Sequence, residues 1–403
     1  MISYASALKL ISKHCKPQTQ TEVVKLAKAA GRTLAEDISA DRDYPPFNRA
    51  TMDGFAVVSP QVRAETPFSV KYTLYPGQEL PDDLLIDKSK DCIQIMTGAA
   101  VPAPFDAVIR IEDSRPFDSD QKVMFKETTI HKGQNIAKRG EDCHKGKSVI
   151  LKNTEVTYAA VGALASLGQS DLKVYRLPRV AIISTGSELV AKNKAPKTFQ
   201  IRDANSEILS QFLNQYGIQP AYRFLVGDEE NALFEKMKIA LECDIVLLSG
   251  AVSAGKKDFV PEVLKSLGAK KIFHKVAVKP GKPVLFGMKG NTAIFALPGN
   301  PMSCQIGAKV FVEPYLRKFL RLLPNLHFQL PVKTALNKNN ELTHFFPAKI
   351  KNVHGETLVE PLKLNTSGDF ISTTTSHGYG IHPAEQKNIA EGQRVDFFLW
   401  HNR

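Results

Sequence analysis

Val180-Ala181-Ile182-Ile183-Ser184-Thr185-Gly186-Ser187-Glu188 is a short apolar run that ends in hydroxyls and a glycine, and it decides the fold. A run of that length closed by small polar residues reads as a buried strand followed by a tight turn. The pattern returns twice. Ile245-Val246-Leu247-Leu248 runs into Ser249-Gly250-Ala251-Val252-Ser253-Ala254-Gly255, and a strand near Ile294 runs into Leu297-Pro298-Gly299-Asn300-Pro301. Between them the sequence predicts an amphipathic helix over 205–216 stopped by Gly217, a strand over 222–226 and a helix ending near Leu241. A further strand is expected near Val284 and a helix after Pro301. This βα alternation predicts a mostly parallel sheet between helices, and a parallel sheet aligns the carboxyl ends of its strands. The three loops are therefore expected to converge on one crevice.

Outward from this segment, about 174–323, the texture changes on both sides. Residues 4–31 suggest two helices broken at Pro17, the second closed by Gly31. From about Asp53 to Ile150, β-branched and alternating pieces such as 68–72 and 106–111 are punctuated by Gly, Pro and Asp, which reads as a β-rich domain. Residues 156–167 form a small-residue run expected to be a closely packed helix. After Pro324 short strand-like pieces at 328–332, 346–353 and 395–399 imply a small terminal β domain.

With 403 residues, 43% of them hydrophobic and 23% charged, the chain has the composition of a folded multidomain protein. It shows neither a membrane-length apolar stretch nor a basic head followed by an apolar run at Met1. The net charge of +12 suits a polyanionic small molecule or a solvated basic surface. No basic block is interleaved with aromatics, so nucleic acid is not expected. Cys15, Cys92, Cys143, Cys243 and Cys304 are odd in number and widely spaced, which reads as reduced thiols in a cytoplasmic protein with no zinc site.

Glycines at strand ends let backbone approach a phosphate, and hydroxyls add neutral donors. Lys275 and Lys279 share one face if the run His274–Lys282 is extended, and a turn at Pro280-Gly281 then returns Lys282 toward them. Such a cluster suits a phosphate or an oxyanion such as molybdate, and the alternative is a solvated hairpin. A hard divalent cation needs oxygen ligands, for which Asp53, Glu112, Asp142, Glu188, Asp228 and Asp258 are the candidates; each alone also reads as a capping or solvated carboxylate.

Taken together, Thr51-Met52-Asp53-Gly54-Phe55-Ala56-Val57, Met96-Thr97-Gly98-Ala99, Gly140-Glu141-Asp142, Ser184-Thr185-Gly186-Ser187-Glu188-Leu189, Gly255 with Asp258, Lys279-Pro-Gly-Lys-Pro283 and Leu297-Pro-Gly-Asn-Pro301 resemble the molybdopterin molybdenumtransferases of the MoeA and gephyrin E-domain type. The resemblance covers nearly the whole chain. It implies four domains, with 1–50 and 141–173 as a helical and extended linker domain, 51–140 as an N-terminal β domain, 174–323 as the molybdopterin-binding α/β domain and 324–403 as a C-terminal β barrel. It further implies an elongated α/β plus β homodimer whose cleft is shared by two subunits, with molybdate inserted into adenylylated molybdopterin and AMP released in a Mg²⁺-dependent step. It also implies a molybdopterin adenylyltransferase as donor, molybdoenzyme apoproteins or their chaperones as acceptors, and no nucleic-acid or membrane partner. By residue it implies catalytic roles for Asp53, Thr97, Asp142 and Asp258, and metal ligation by Glu188, Asp228 and Asp258. Binding of the pterin, phosphate and molybdate falls to Thr185, Gly186, Glu188, Ser249, Gly250, Ser253, Gly255, Lys275, Lys279, Lys282, Pro298, Gly299, Asn300, Pro301 and Ser303.

The chain departs from that pattern at Ala251, Ala254, Lys256 and Ala137, the last beside Lys138 and Arg139. It also lacks an arginine in Phe345-Phe346-Pro347-Ala348. These departures carry a second reading, a catalytically weakened paralogue acting as a molybdopterin-binding scaffold or carrier.

Overall fold

The computed structural model describes residues 1–63, 66–117, 119–126, 129–250, 252, 259–364 and 369–401. They form two compact units: Lys25–Lys28 with Glu36–Leu172, and Met1–Val24, Ala29–Ala35 and Lys173–Arg403. The first helix, α1 (Tyr4–His14), belongs to the larger unit, where Ala7 and Ile11 are buried in its core. Its N-cap is Ser3, whose side chain accepts from Ser6 N–H. The second helix expected before Gly31 is absent. Thr21–Lys25 is a strand followed by a single 3₁₀ turn, because adjacent β-branched Val23 and Val24 favour extended backbone and a cross-strand bond from Arg176 N–H to Gln20 O holds the start of the segment open.

The smaller unit is a six-stranded sheet of β1 (Gly54–Val57), β2 (Phe68–Leu74), β3 (Asp91–Ile95), β4 (Ala107–Arg110), β5 (Ser114–Phe117) and β6 (Ser119–Phe125), in the spatial order β4-β1-β3-β2-β6-β5. Alternation sends Phe55 and Val57 into one apolar cluster and Ala56 into another on the opposite face. Helix α2 (Tyr158–Ser166) forms where its alanines predict, capped by Thr157, yet only Leu164 is buried. It is therefore not closely packed: alanine propensity holds the turn, while Ala159, Gly162 and Ala163 present too little apolar surface to demand cover and remain exposed.

The larger unit is built on β7 (Val180–Thr185), α3 (Asn205–Asn214), β8 (Tyr222–Val226), α4 (Glu230–Ala240), β9 (Ile245–Ser249), α5 (Val260–Ser266), β10 (Lys270–His274), β11 (Leu285–Lys289) and β12 (Thr292–Leu297). The strand order is β8-β7-β9-β12-β11-β10. The first four strands are mutually parallel, and β11 and β10 add antiparallel to the edge. Val180 and Ile182 pack into one core with α1 and α3, Ala181 and Ile183 into a second core with α4 and α5. The strands buried on both faces explain the continuous apolar runs.

After β12 come α6 (Pro301–Gly307), a π-helical turn over Ala308–Val312 and α7 (Glu313–Phe319). Pro314 has no N–H for the carbonyl four residues before it, and the turn preceding it widens accordingly. On that turn Lys309 is ion-paired with Glu313 at 2.7 Å, both almost wholly buried. The last segment consists of β13 (Phe328–Pro331), β14 (Thr343–Val353), β15 (Glu356–Pro361), β16 (Gly378–His382) and β17 (Arg394–Leu399). They run in the order β15-β14-β16-β17-β13, and a bridge from Val332 to Val359 joins the two ends, closing a small barrel.

Candidate functional site

Ser184, Ser249 and Leu297 stand abreast in adjacent parallel strands, so the loops after β7, β9 and β12 leave the sheet at one height. Gly250 N–H donates to Leu297 O at 3.1 Å, and Thr185 Oγ1 donates to Ser249 O at 3.3 Å. Gly250 has a φ of 96°, and a Cβ on it would lie 2.4 Å from Thr185 O, so only glycine fits there. A Cβ on Gly299 would meet Gly250 Cα at 3.5 Å, so the third loop runs over the second. Asn300 caps α6 by accepting from Ser303 N–H at 3.3 Å. Thr185, Gly186, Ser249, Gly250, Pro298, Gly299, Asn300, Pro301 and Ser303 thus lie together at the strand ends, where the candidate crevice is expected.

Two residues that the sequence analysis overlooked hold it together. Asn205, 7% exposed, donates from Nδ2 to Ser249 Oγ and to Gly299 O, both at 2.7 Å. Asp203, also 7% exposed, accepts from Ser184 Oγ at 3.1 Å and from Ser206 N–H at 3.0 Å. The available signal was Asp203 three residues before Ser206 at a helix start, the spacing of a side-chain cap.

The Glu188 carboxylate folds over Gly186, where a Cβ would stand 2.7 Å from Oε1. Asp228 N–H donates to Ser187 Oγ at 2.9 Å, tying the loop after β8 to the loop after β7. Glu188 and Asp228 are thereby placed on neighbouring loops. The third member of that set, Asp258, lies outside the described residues, as do Ser253, Gly255, Ala251, Ala254 and Lys256. Among the described residues no group of three His, Cys, Asp or Glu could hold a metal.

The lysine run is not one extended face. Lys275 has a φ of 69°, which breaks the alternation that would have aligned it with Lys279. Instead Lys275 N–H bonds Val284 O and Val276 N–H bonds Lys282 O, both at 2.9 Å, closing the turn across its base. Lys279 and Lys282 are exposed on that turn. A Cβ on Gly281 would lie 3.7 Å from Ser303 O, which sets the turn beside α6 and the crevice.

In the smaller unit Gly54 pairs with Ile95, which brings Asp53 beside the 96–99 loop. Asp53 Oδ1 accepts from Thr97 N–H at 2.6 Å and from Thr97 Oγ1 at 2.7 Å. These two donors hold its carboxyl below the usual carboxylate range. A Cβ on Gly54 would lie 1.9 Å from Ile109 O, so β4 can approach only a glycine. Asp142 is exposed and its backbone N–H donates to Tyr44 O at 2.9 Å. The carboxylate that organises its loop is Asp43, missed in the sequence analysis, which accepts from Lys145 N–H at 2.9 Å and Arg139 Nε at 2.7 Å. Arg139, adjacent to the departure at Ala137, is thus engaged with Asp43.

The larger unit is therefore an α/β fold whose cluster of glycines, hydroxyls and a bridging amide lies at the carboxyl ends of parallel strands, the edge at which open α/β sheets take their ligands. Family comparison covers the same ground. Residues 2–168 match the MoeA N-terminal region (domain I and II), 181–318 a probable molybdopterin binding domain and 329–400 the MoeA C-terminal region (domain IV). The molybdopterin molybdenumtransferase of Synechocystis sp. is 33% identical over 99% of this chain and 100% of its own length. That of Haemophilus influenzae is 36% identical over 94% and 93%. The crystal structure of the molybdopterin biosynthesis MoeA protein from Pyrococcus horikoshii superposes with a TM-score of 0.83 at 27% identity, covering 99% of this chain and 100% of that one. The chain belongs to the MoeA family of molybdopterin molybdenumtransferases.

Proposed function

We infer that this chain inserts molybdate into adenylylated molybdopterin with release of AMP. The observation that carries the reading is the strand-end crevice, present within a chain that matches its molybdenumtransferase relatives from end to end. In it Gly250 and Gly299 let three loops pack against one another at the strand ends, and the buried hydroxyls of Thr185 and Ser249 tie those loops together. Asn205 fixes the distance between two of the loops. Exposed Lys279 and Lys282 offset the charge of an incoming dianion, molybdate as substrate or a pterin phosphate. Asp53, kept ionised by Thr97, and Asp142 serve as further catalytic residues.

The side-chain oxygens of Glu188 and Asp228 on neighbouring loops are the hard donors a Mg²⁺ ion takes, and these two residues would hold it. When bound, the ion supplies polarisation of the phosphoanhydride. The chain acts as a cytoplasmic homodimer, receiving its pterin from an adenylyltransferase and passing the cofactor to molybdoenzyme apoproteins or their chaperones. The test is AMP release from adenylylated molybdopterin on addition of micromolar molybdate and Mg²⁺. Tight nucleotide binding without molybdate-dependent AMP release identifies the scaffold instead.

A further inference from the structure

At the opposite end of the central sheet lies a second cavity, of about 600 Å³, that the proposed reaction does not use. Lys13 at the end of α1, Asp244 just before β9 and Asn291 in the turn between β11 and β12 all line it. The five residues of β9 separate Asp244 from the loop at Gly250, six steps and roughly 20 Å at about 3.3 Å per residue. The size is that of a small-molecule site.

Its charge is one-sided. Lys13, Lys16, Arg176 and Lys270 face a single carboxylate, Asp244. That carboxylate is already engaged, accepting from Arg176 at 3.0 and 3.2 Å and from Arg179 N–H at 2.7 Å. Lys16 Nζ reaches Asn291 Oδ1 at 3.2 Å. Lys13 and Lys270 are exposed and carry no ion pair among the described residues. Met288 and Phe319 add an apolar wall.

Gln18 supplies an independent sign of a ligand. It is only 6% exposed and lines the same cavity. Its Oε1 accepts from Thr19 N–H at 2.9 Å and Gln20 N–H at 3.0 Å, so the amide cannot be flipped. Nε2 is then a buried donor without a partner among the described residues, a group whose hydrogen bond is costly to leave unmade.

We propose that this cavity is a second binding site, for a phosphate monoester of mononucleotide size, with the dianion met by Lys13 and Lys270 and one oxygen accepting from Gln18 Nε2. A dianion matches an excess of cations over carboxylates, and the apolar wall takes the organic part. The site stands apart from the crevice and does not depend on the proposed activity.

Titration calorimetry of the full chain with AMP, with inorganic phosphate as the control, tests it. Lys13→Glu with Lys270→Glu reverses two exposed charges and leaves the core untouched. Gln18→Glu keeps an oxygen for the Thr19 and Gln20 N–H groups while removing the donor. If AMP also occupies the crevice as a product, the native chain binds two equivalents, and each variant weakens one of them at least 10-fold while sparing the other. One equivalent that both variants weaken supports the second site and counts against AMP as a ligand of the crevice. Unchanged AMP stoichiometry and affinity in the folded charge-reversed variant overturns the proposal, as does loss there with no effect of Gln18→Glu. Hydrogen exchange at residues 16–20 gives a second readout: AMP is expected to slow it in the native chain, and no slowing counts against the site.

Discussion

Replacing Asn205 by Asp tests whether the bridge between two strand-end loops is made by its amide. In the native chain Nδ2 spans 2.7 Å to Gly299 O and 2.7 Å to Ser249 Oγ from a position 7% exposed. An ionised carboxylate puts an acceptor oxygen against the Gly299 carbonyl with no proton between them. The Ser249 hydroxyl can rotate to donate, but the carbonyl cannot. Loss of one buried bond and burial of an unsatisfied oxygen cost about 2–4 kcal/mol. At about 1.4 kcal/mol per pH unit, this lifts the new carboxyl from its usual value near ~4 to roughly 5.5–7. The protonated acid has an O–H that donates to Gly299 O in place of the amide. Because the folded value exceeds the unfolded one, stability relative to the native chain is retained below about pH 4 and lost as pH rises through roughly 5.5–7. Urea unfolding followed by the single tryptophan, Trp400 of the larger unit, at pH 5 and pH 8 measures it. Asn205→Ala removes the bridge without a titratable group and is expected to be equally destabilised at both values. An Asn205→Asp deficit that is independent of pH and equal to that of Asn205→Ala would refute the argument.

Other substitutions probe separate parts of the chain. Gly54→Ala forces a Cβ to within 1.9 Å of Ile109 O; it is expected to displace β4 and free the Asp53 to Thr97 bonds, seen as faster amide exchange at Thr97, while Ala56→Gly leaves that exchange largely unchanged. Asp53, held low by Thr97, stays ionised above about pH 4, so its contribution is present above the usual carboxylate value and lost only as pH falls below it; the pH profile of AMP release should show no limb from this residue between pH 5 and 8. Burial together with the charges of Lys279, Lys338 and His382 pushes the His344 imidazole down to about 4. It is neutral near pH 7, and its NMR shifts should not titrate above about pH 5. Lys309→Met strands the buried Glu313 carboxylate and should cost about 3–5 kcal/mol in urea unfolding, and adding Glu313→Gln should return at least half of that.

What the sequence makes legible follows from how locally each feature is encoded. Val180–Thr185, Ile245–Ser249 and Thr292–Leu297 are buried on both faces, so their apolar character is continuous and their ends are marked by residues that serve a turn and a ligand at once. Convergence of their loops then needs only the rule that parallel strands align. The features that stay hidden depend on a partner distant in sequence. Asp203 and Asn205 sit in a stretch without glycine or proline, and their roles appear only when Ser184, Ser249 and Gly299 arrive from three other elements. Asp43 likewise becomes the organiser of a loop only through Arg139 and Lys145, about a hundred positions on. Lys275 fails for the opposite reason. Alternation is a local rule, but a single residue of positive φ resets it, and lysine gives no warning of that conformation as glycine does. Residues 21–25 read as helix from the sequence and form a strand, because five positions fit either period and bonding by Arg176 from far along the chain selects the extended one. A substitution at a hidden residue should therefore disturb several loops at once, whereas one in a legible strand is felt mainly by its own layer of the core.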